Sequence, residues 1–239
     1  MSEQANYSAV LFDMGGVLLD MANAASLPEG KLDWRGRQAL LAYLRRRGAK
    51  VDLEDLDELL FQPWRERYEQ RYQLGREADW RIHFKRLRHE LGVRSHDLTL
   101  LSTWFAPYSE QVTAMPSARP VVSTLAGRGI SLGIVSNVPL PGRLYEGILA
   151  HYGLLEPFAT RRFSYDEGSR KPSPSMVRSA LAILGVPPSR AMMVGDRRAM
   201  DVAAGRAAGV TTVWLAGDDD DGPEPDAEIR DLPELLRLL

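Results

Sequence analysis

The chain of 239 residues contains no cysteine, which excludes disulfide bonds, thiolate metal sites and cysteine nucleophiles. Any chemistry must therefore use carboxylates, hydroxyls, amines or histidine. Long apolar runs are also missing, since no stretch approaches the roughly 18 residues that cross a bilayer. The opening segment, MSEQANYSAVLF, has neither the basic start nor the apolar run of a secretion signal. These absences predict a cytoplasmic protein.

An excess of charge of one sign is missing as well. The formal net charge is −2, so neither nucleic acid nor an anionic membrane surface is an expected partner. Hydrophobic residues make up 44% of the chain, enough for the core of one large domain with or without a smaller insertion. We expect a monomer or a homodimer.

Four short, nearly continuous apolar runs predict buried parallel strands, because helices on both faces of a sheet remove the need for polar alternation. They span residues 8–16, 130–137, 191–196 and 210–216. Segments with helical patterns precede the second and third runs. This alternation predicts an α/β fold with a Rossmann-like, doubly wound parallel sheet.

Residues 19–114 contain no convincing strand and are too numerous for a loop. Their patterns predict helices over residues 34–47, 53–72, 78–91 and 97–113. We therefore predict a core of residues 1–18 and 115–239 and a helical cap domain, residues 19–114, inserted after the first strand. Such a cap is expected to open and close about hinges near residues 19–21 and 115–120.

Two compositional features of the chain favour structural interpretations. Thirteen arginines lie between residues 34 and 94, and most are expected to pair with acidic neighbours on helix surfaces. The acidic and proline-rich residues 218–226, DDDDGPEPD, predict a solvated loop. Four tryptophans of the insertion are expected mainly to fill its interior: Trp34, Trp64, Trp80 and Trp104.

Polar residues end three of the predicted strands. In a doubly wound sheet the carboxyl ends of the strands meet at one edge, where Asp13, Asn137 and Asp196 should converge. Asp13 precedes two glycines at a tight turn, which suits a nucleophile or an ordinary turn residue equally. Ser136, beside Asn137, offers a hydroxyl for an anionic oxygen, although both residue types are common in turns.

Two further segments add charged groups. Lys171 stands between Arg170 and Pro172 in a stiff segment before a predicted helix, where it is either an aimed ammonium or a surface lysine. Asp201 follows Asp196 in the first turns of a helix, a position that favours carboxylates in any case. Facing carboxylates on Asp13 and Asp196 would attract a hard cation such as Mg²⁺.

The order and spacing of these motifs resemble the haloacid dehalogenase superfamily of hydrolases, specifically its members with a helical cap after the first strand. LFDMGGVLLD matches the nucleophile motif, VSN the Ser/Thr motif, KPSP the lysine motif and GDRRAMD the acidic GDxxxxD motif. The match covers almost the whole chain. It implies a Mg²⁺-dependent phosphatase of a small phosphorylated metabolite.

The resemblance also assigns roles to individual residues. Asp13 would attack phosphorus and form an aspartyl-phosphate that water later hydrolyses. Ser136, Asn137 and Lys171 would bind the phosphoryl oxygens.

The metal site follows from the same resemblance. Mg²⁺ would be bound by Asp13, the backbone carbonyl of Gly15 and Asp196, while Asp201 would shape the surrounding loop. Charge neutralisation of this kind is what phosphoryl transfer needs.

Gly15 departs from the family pattern, because most phosphatases of the family carry a second aspartate there as general acid and base. Glycine cannot transfer a proton, so a contribution of about 10²-fold to 10⁴-fold is lost or moved elsewhere. Asp20, His83 and His89 are candidate replacements, although Asp20 is also explained as a helix cap.

Three alternative functions stay open at this point. A 2-haloacid dehalogenase would attack carbon without a metal, but the GDxxxxD motif argues for the metal. A phosphonatase-like enzyme would need a cap lysine for a Schiff base, for which Lys31, Lys50 and Lys85 are available. Loss of the second aspartate would also fit a catalytically impaired phosphate-binding protein.

Overall fold

The computed structural model describes residues 7–21, 31–217 and 221–239. The chain divides into two compact units, one formed by Met1–Asp20 with Thr113–Leu239 and the other by Met21–Val112. The first is called the sheet unit below and the second the helical unit. The predicted insertion, residues 19–114, contains the helical unit.

The helical unit consists of helices joined by short turns. Their bounds are α1 Lys31–Arg46, α2 Leu53–Leu56, α3 Gln62–Gln73, α4 Trp80–Leu91 and α5 Asp97–Ser109. A π-helical turn, Asp57–Phe61, joins α2 to α3 where the sequence predicted one continuous helix. The prediction of a helix to residue 113 was wrong, because Thr113 pairs with Asp20 in a short β-ribbon.

Local signals explain several helix ends in this unit. Asp52 caps α2 by accepting a hydrogen bond from Asp55 N at 3.0 Å, and the Asp55 carboxylate accepts one from Asp52 N at 2.8 Å. Gly92 ends α4 in the left-handed conformation, with φ of 62°. The Asp52 and Asp55 side chains thus pair with backbone N–H groups that α2 itself leaves unpaired.

Aromatic rings fill the interior of the helical unit. Trp80 is fully buried, stacks on Trp64 with ring centroids 4.3 Å apart, and lies 5.2 Å from the ring of Trp104. Trp34 was expected to join them, but it is 54% exposed. In the described part of this unit, arginines that pair with acidic residues include Arg37, Arg65, Arg81 and Arg88.

The strands in the described residues are, in chain order, β1 Ala9–Phe12, β2 Leu19–Asp20, β3 Thr113–Ala114, β4 Ser131–Ser136, β5 Phe158–Phe163, β6 Ala191–Gly195, β7 Thr211–Leu215 and β8 Ala227–Ile229. Six of them form a parallel sheet in the order β5-β4-β1-β6-β7-β8. β2 and β3 form the antiparallel ribbon. The predicted α/β fold with a Rossmann-like parallel sheet is confirmed.

Helices cover this sheet, which explains why its central strands are continuously apolar. They are α6 Ala118–Gly127, α7 Gly142–His151, α8 Ser164–Glu167, α9 Ser175–Leu184 and α10 Ala203–Ala208. All residues of β1 are buried, and Met176 and Leu181 of α9 belong to the same core cluster as Ala9 and Leu11. At about 25 cal/mol per Å² of apolar surface, burial of such side chains dominates the stability of the unit.

The sheet unit ends in a 3₁₀-helix, Leu232–Arg237. The predicted solvated loop, residues 218–226, includes Asp218 to Asp220, which lie outside the described residues. Its described residues are exposed or half-buried, and its second half is also bonded to the sheet. Asp226 accepts hydrogen bonds from Thr212 N and Thr212 Oγ1, both at 2.8 Å. Within the described ranges no helix combines the length and apolarity that a membrane crossing needs.

Candidate active site

The carboxyl ends of β1, β4 and β6 bring the site residues together. β1 pairs in parallel with both neighbours, so Phe12 lies beside Ile134 on one side and Val194 on the other. Asp13 continues this ladder, with its N–H donating to Val194 O at 2.8 Å. The polar residues that follow the three strands consequently share one edge of the sheet.

Lys171 lies at the centre of this edge and is only 2% exposed. Its ammonium donates hydrogen bonds to Asp13 Oδ1 at 2.7 Å, to Asp201 Oδ1 at 2.5 Å and to the carbonyl of Val135 at 2.8 Å. These three bonds use all three donors of the ammonium. Lys171 is therefore a buried cation that holds two carboxylates in place.

Asn137 positions the backbone of Lys171. Its side-chain Oδ1 accepts from Lys171 N at 2.8 Å, and its Nδ2 donates to Lys171 O at 3.0 Å. The sequence analysis predicted a contact between Asn137 and a phosphoryl group. In the structure the Asn137 side chain also binds the backbone of Lys171. Ser136 is buried at the end of β4. Phosphate binding by Ser136 and Asn137 stays a prediction.

Three carboxylates form an acidic cluster beside the lysine. Asp13, Asp196 and Asp201 each present one oxygen, and these oxygens lie within 4.8 Å of one another. Asp201 is already engaged, because its Oδ2 accepts from Arg197 N at 3.0 Å and its Oδ1 from Lys171. By contrast, Asp196 Oδ1 is buried without a hydrogen-bond partner in the described part of the chain. An unpaired buried carboxylate oxygen is costly unless a cation meets it.

Burial and mutual repulsion shift pKa values within the acidic cluster. Burial, followed by repulsion from Asp13 and Asp201, raises the pKa of Asp196 to about 7. Burial also raises the pKa of Asp201 to about 6, although Lys171 opposes that shift. For Lys171, burial by itself lowers the pKa, but attraction to Asp13 and Asp201 outweighs it and raises the pKa above its ordinary value. Three acids thus face one ammonium.

These residues fit a hard divalent cation. The ligand atoms are carboxylate oxygens, the preferred donors for Mg²⁺, and the buried oxygen of Asp196 lacks any other partner in the described residues. The cluster carries more negative charge than Lys171 can neutralise. A cation between Asp13 and Asp196 would remove that imbalance.

Comparison with models of protein families shows to which family the chain belongs. The family model described as haloacid dehalogenase-like hydrolase matches residues 7–209 of the chain, and that stretch contains all four motifs. The chain belongs to the haloacid dehalogenase-like hydrolase family.

Relatives within this hydrolase family carry different names. The phosphoserine phosphatase of Thermus thermophilus is 36% identical over 125 residues, which cover 51% of this chain and 49% of that protein. The match thus spans about half the length of that relative. A crystal structure of a phosphatase of the family from Thermococcus onnurineus is 25% identical, with 97% of both chains covered and a TM-score of 0.62. The 2-haloacid dehalogenase of Pseudomonas syringae pv. Tomato DC3000 also shows 25% identity and 97% coverage of both chains, with a TM-score of 0.64.

Two glycines of this family member make the acidic cluster sterically feasible. A Cβ on Gly195 would lie 2.2 Å from the Asp201 Cβ, and one on Gly16 would lie 2.2 Å from Asp196 Oδ2. Gly16 also has φ of 75°, a conformation that side-chain-bearing residues rarely adopt. The sequence predictions did not assign this steric role to either glycine, although both lie inside the matched motifs.

Gly16→Ala is expected to weaken binding of a divalent cation at least about 10-fold, because the new methyl group displaces the Asp196 carboxylate. The affinity for Mn²⁺, measured by electron paramagnetic resonance of the free ion, checks this result. Gly129→Ala is the matched control, because Gly129 has φ of 76° but nothing within 4 Å of its Cβ position. Equal cation affinity in the two variants would contradict a steric role for Gly16.

The candidate replacements for the missing acid have different environments. Asp20 is the last residue of β2. A helix that it could cap would begin among residues 22–30, which lie outside the described residues, so the helix cap stays a prediction. His89 has a side chain that is 85% exposed, beside Glu90. His83 is buried, and burial followed by repulsion from Arg67 lowers its pKa, which favours the neutral ring at neutral pH. A neutral imidazole is a poor general acid.

The buried His83 predicts a pH-dependent stability. Because its pKa in the folded protein lies below the ordinary 6.5, the unfolded chain binds more protons as the pH falls through 6.5. The free energy of unfolding should therefore fall below that pH, by up to about 1.4 kcal/mol per pH unit for this one group. Denaturant unfolding of wild type and His83→Gln at several pH values measures the difference. Below pH 6.5 the free energy of unfolding should fall more steeply with falling pH in wild type than in His83→Gln. Equal pH dependence in the two proteins would contradict the buried, neutral histidine.

Proposed function

We propose that the protein is a Mg²⁺-dependent phosphatase of small phosphorylated metabolites in which Asp13 is the nucleophile. The observation that carries this proposal is the pairing of Asp13 Oδ1 with the buried ammonium of Lys171, next to an oxygen of Asp196 that has no hydrogen-bond partner among the described residues. This arrangement orients one carboxylate oxygen of Asp13 and leaves the other for bond formation. A cytoplasmic location is part of the same proposal.

In the proposed reaction an Asp13 oxygen attacks phosphorus as the bond from phosphorus to the ester oxygen breaks. The product is an aspartyl-phosphate, and water then attacks its phosphorus atom and regenerates the carboxylate. Lys171 fixes the orientation of Asp13 throughout and offsets negative charge at the centre of the site. Ser136 and Asn137 are proposed to donate hydrogen bonds to the phosphoryl oxygens.

Bound Mg²⁺ would supply electrostatic stabilisation of the charge on the transferring phosphoryl group. Asp13, the carbonyl of Gly15 and Asp196 are proposed to hold it. Asp201 keeps the loop in place through its bonds to Lys171 and to Arg197 N. Gly15 provides no acid, so the leaving oxygen must be a weak base or must take its proton from another source.

The two predicted domains have separate tasks in this proposal. Residues 1–18 and 115–239 form the catalytic core, and residues 19–114 form a cap that excludes water during attack. A cap of this size favours a small diffusible substrate. The names of several relatives support a phosphatase, because they include phosphoserine, phosphoglycolate and glyceraldehyde 3-phosphate phosphatases.

Phosphate release from p-nitrophenyl phosphate tests the proposal, because its leaving group needs no acid. Wild type should release phosphate only when Mg²⁺ is present, and Asp13→Asn should lower the rate by about 10⁴-fold or more, as expected for loss of a nucleophile. Asp52→Asn is the matched control, because asparagine caps α2 as well as aspartate does. This control should keep the wild-type rate.

The same assay separates the alternatives. Chloride release from 2-chloropropionate without phosphate release would indicate a dehalogenase, which the similarity to the Pseudomonas syringae enzyme makes the second candidate. Release of neither product, with tight binding of inorganic phosphate, would indicate a phosphate-binding protein.

A further inference from the structure

Trp214 at the end of β7 contacts the backbone of the acidic cluster. Its indole Nε1 donates a hydrogen bond to the carbonyl of Asp196 at 3.0 Å. The ring is 8% exposed, so this bond forms in a largely desolvated place. Trp214 is the one tryptophan of the sheet unit, since the other four lie at positions 34, 64, 80 and 104.

Arg198 packs over the ring of Trp214. Its guanidinium carbon lies 5.5 Å from the centroid of the Trp214 ring, within the range of a cation–π interaction. Arg198 is itself buried, and it lies two residues after Asp196 in the acidic motif. A buried guanidinium needs several acceptors, and a loop later in the chain provides them.

The acceptors come from residues 222–224, called the fastening loop. Arg198 Nε donates to Pro223 O at 3.2 Å, and its Nη2 donates to Gly222 O at 3.1 Å and to Glu224 Oε1 at 2.6 Å. The loop approaches so closely that a Cβ on Gly222 would lie 2.5 Å from Ala199 N. The acidic, proline-rich segment after β7 is therefore fastened to the acidic motif.

We propose that Trp214 and Arg198 are positioning residues that fix the orientation of Asp196 for cation binding. The proposal rests on the proposed function, in which Asp196 is a metal ligand. The peptide group of Asp196 lies between the end of β6 and a π-helical turn, Arg198–Val202, outside both regular elements. The Trp214 hydrogen bond restrains its carbonyl group.

Three successive contacts link the fastening loop to Asp196. The loop accepts hydrogen bonds from the guanidinium of Arg198, the guanidinium packs over the Trp214 ring, and the indole N–H donates to the Asp196 carbonyl. Outer partners that orient a ligand typically change metal affinity by about 10-fold to 100-fold when removed. Asp13, the proposed nucleophile, is bonded separately to Lys171. Loss of the Trp214 bond should therefore change the affinity for the cation and leave the orientation of the attacking oxygen unchanged.

Trp214→Phe removes the hydrogen bond and keeps an aromatic ring for Arg198. We expect its dissociation constant for Mn²⁺, measured by electron paramagnetic resonance without substrate, to rise about 10-fold. The Mg²⁺ concentration needed for half-maximal phosphate release should rise by the same factor. Trp34→Phe is the matched control, because Trp34 is an exposed residue of the helical unit, and its affinity should equal that of wild type.

Arg198→Lys tests the same restraint without changing the tryptophan. Lysine keeps the charge but loses the planar fork that bonds the fastening loop and stacks on the ring. Its Mn²⁺ affinity should also fall, and thermal unfolding should show that both variants remain folded.

The outcomes distinguish this inference from the proposed function. Wild-type Mn²⁺ affinity in both Trp214→Phe and Arg198→Lys, with lost affinity in Asp196→Asn, overturns the positioning role alone. A wild-type protein that binds Mn²⁺ but releases no phosphate contradicts the proposed function while the positioning role stands. Absence of Mn²⁺ binding to wild type overturns both.

Discussion

Replacement of Lys171 by methionine is expected to lower the free energy of unfolding by about 3–5 kcal/mol, the range for removing one partner of a buried ion pair. The ammonium is fully enclosed and bonds to Asp13 and Asp201 at 2.7 Å and 2.5 Å. Methionine fills a similar volume but leaves two buried carboxylates facing each other. Phosphatase activity should fall by at least about 10²-fold, because the orientation of Asp13 is lost.

Urea unfolding of the Lys171→Met variant at two pH values measures this effect and its cause. The destabilisation should be smaller at about pH 5 than at about pH 8, since burial raises the pKa of Asp201 to about 6 and its protonation removes the repulsion from Asp13 in the folded state. Lys85→Met, on the exposed face of α4, is the matched control and should change stability little. A Lys171→Met variant as stable as wild type at both pH values would contradict the buried ion triad.

Restoring an acid at Gly15 is expected to have the second large effect. Gly15→Asp should raise turnover of alkyl phosphates by about 10²-fold to 10⁴-fold, the usual contribution of general acid catalysis. Gly15 is not among the glycines with a positive φ, so its φ angle does not by itself disfavour a side chain. The rate with p-nitrophenyl phosphate should change far less, because that leaving group needs no proton.

Gly15→Asn is the matched control for this gain. Asparagine has nearly the shape of aspartate but cannot donate and recover a proton as a carboxyl group does. Rates with an alkyl phosphate and with p-nitrophenyl phosphate should be compared for wild type and both variants. An equal rate increase in both variants, or no increase in Gly15→Asp, would show that position 15 does not limit the reaction.

The sequence predicted the centre of the fold because buried strands and covering helices leave strong periodic signals. It missed β5, whose sequence FATRRF interrupts the apolar pattern with two arginines. Those arginines are accommodated because β5 is an edge strand, where Arg161 pairs with Glu146 at 2.8 Å and Arg162 with Glu167 at 2.8 Å. β8, the strand at the other edge, was missed because it has only three residues, Ala227–Ile229, too few for a clear apolar pattern.

For the candidate site, the sequence predicted which residues come together but not how they are bonded. Strand polarity alone brings Asp13 and Asp196 to one edge, and the motif pattern added Lys171 and Asp201. Hydrogen-bond partners were not predictable, because they depend on which atoms face each other after folding. The Trp214 bond to the Asp196 backbone links positions 18 residues apart, and an acceptor on the main chain leaves no residue-type signature.

The most direct test of Asp13 as nucleophile is to look for the covalent intermediate. Wild-type protein is mixed with p-nitrophenyl phosphate and Mg²⁺, quenched, reduced with borohydride and digested, and the peptides are identified by mass spectrometry. Reduction of an aspartyl-phosphate converts the side chain to an alcohol, so the account predicts homoserine at position 13 and nowhere else. Phosphate release with Asp13 unmodified, or modification at a different carboxylate, would contradict it.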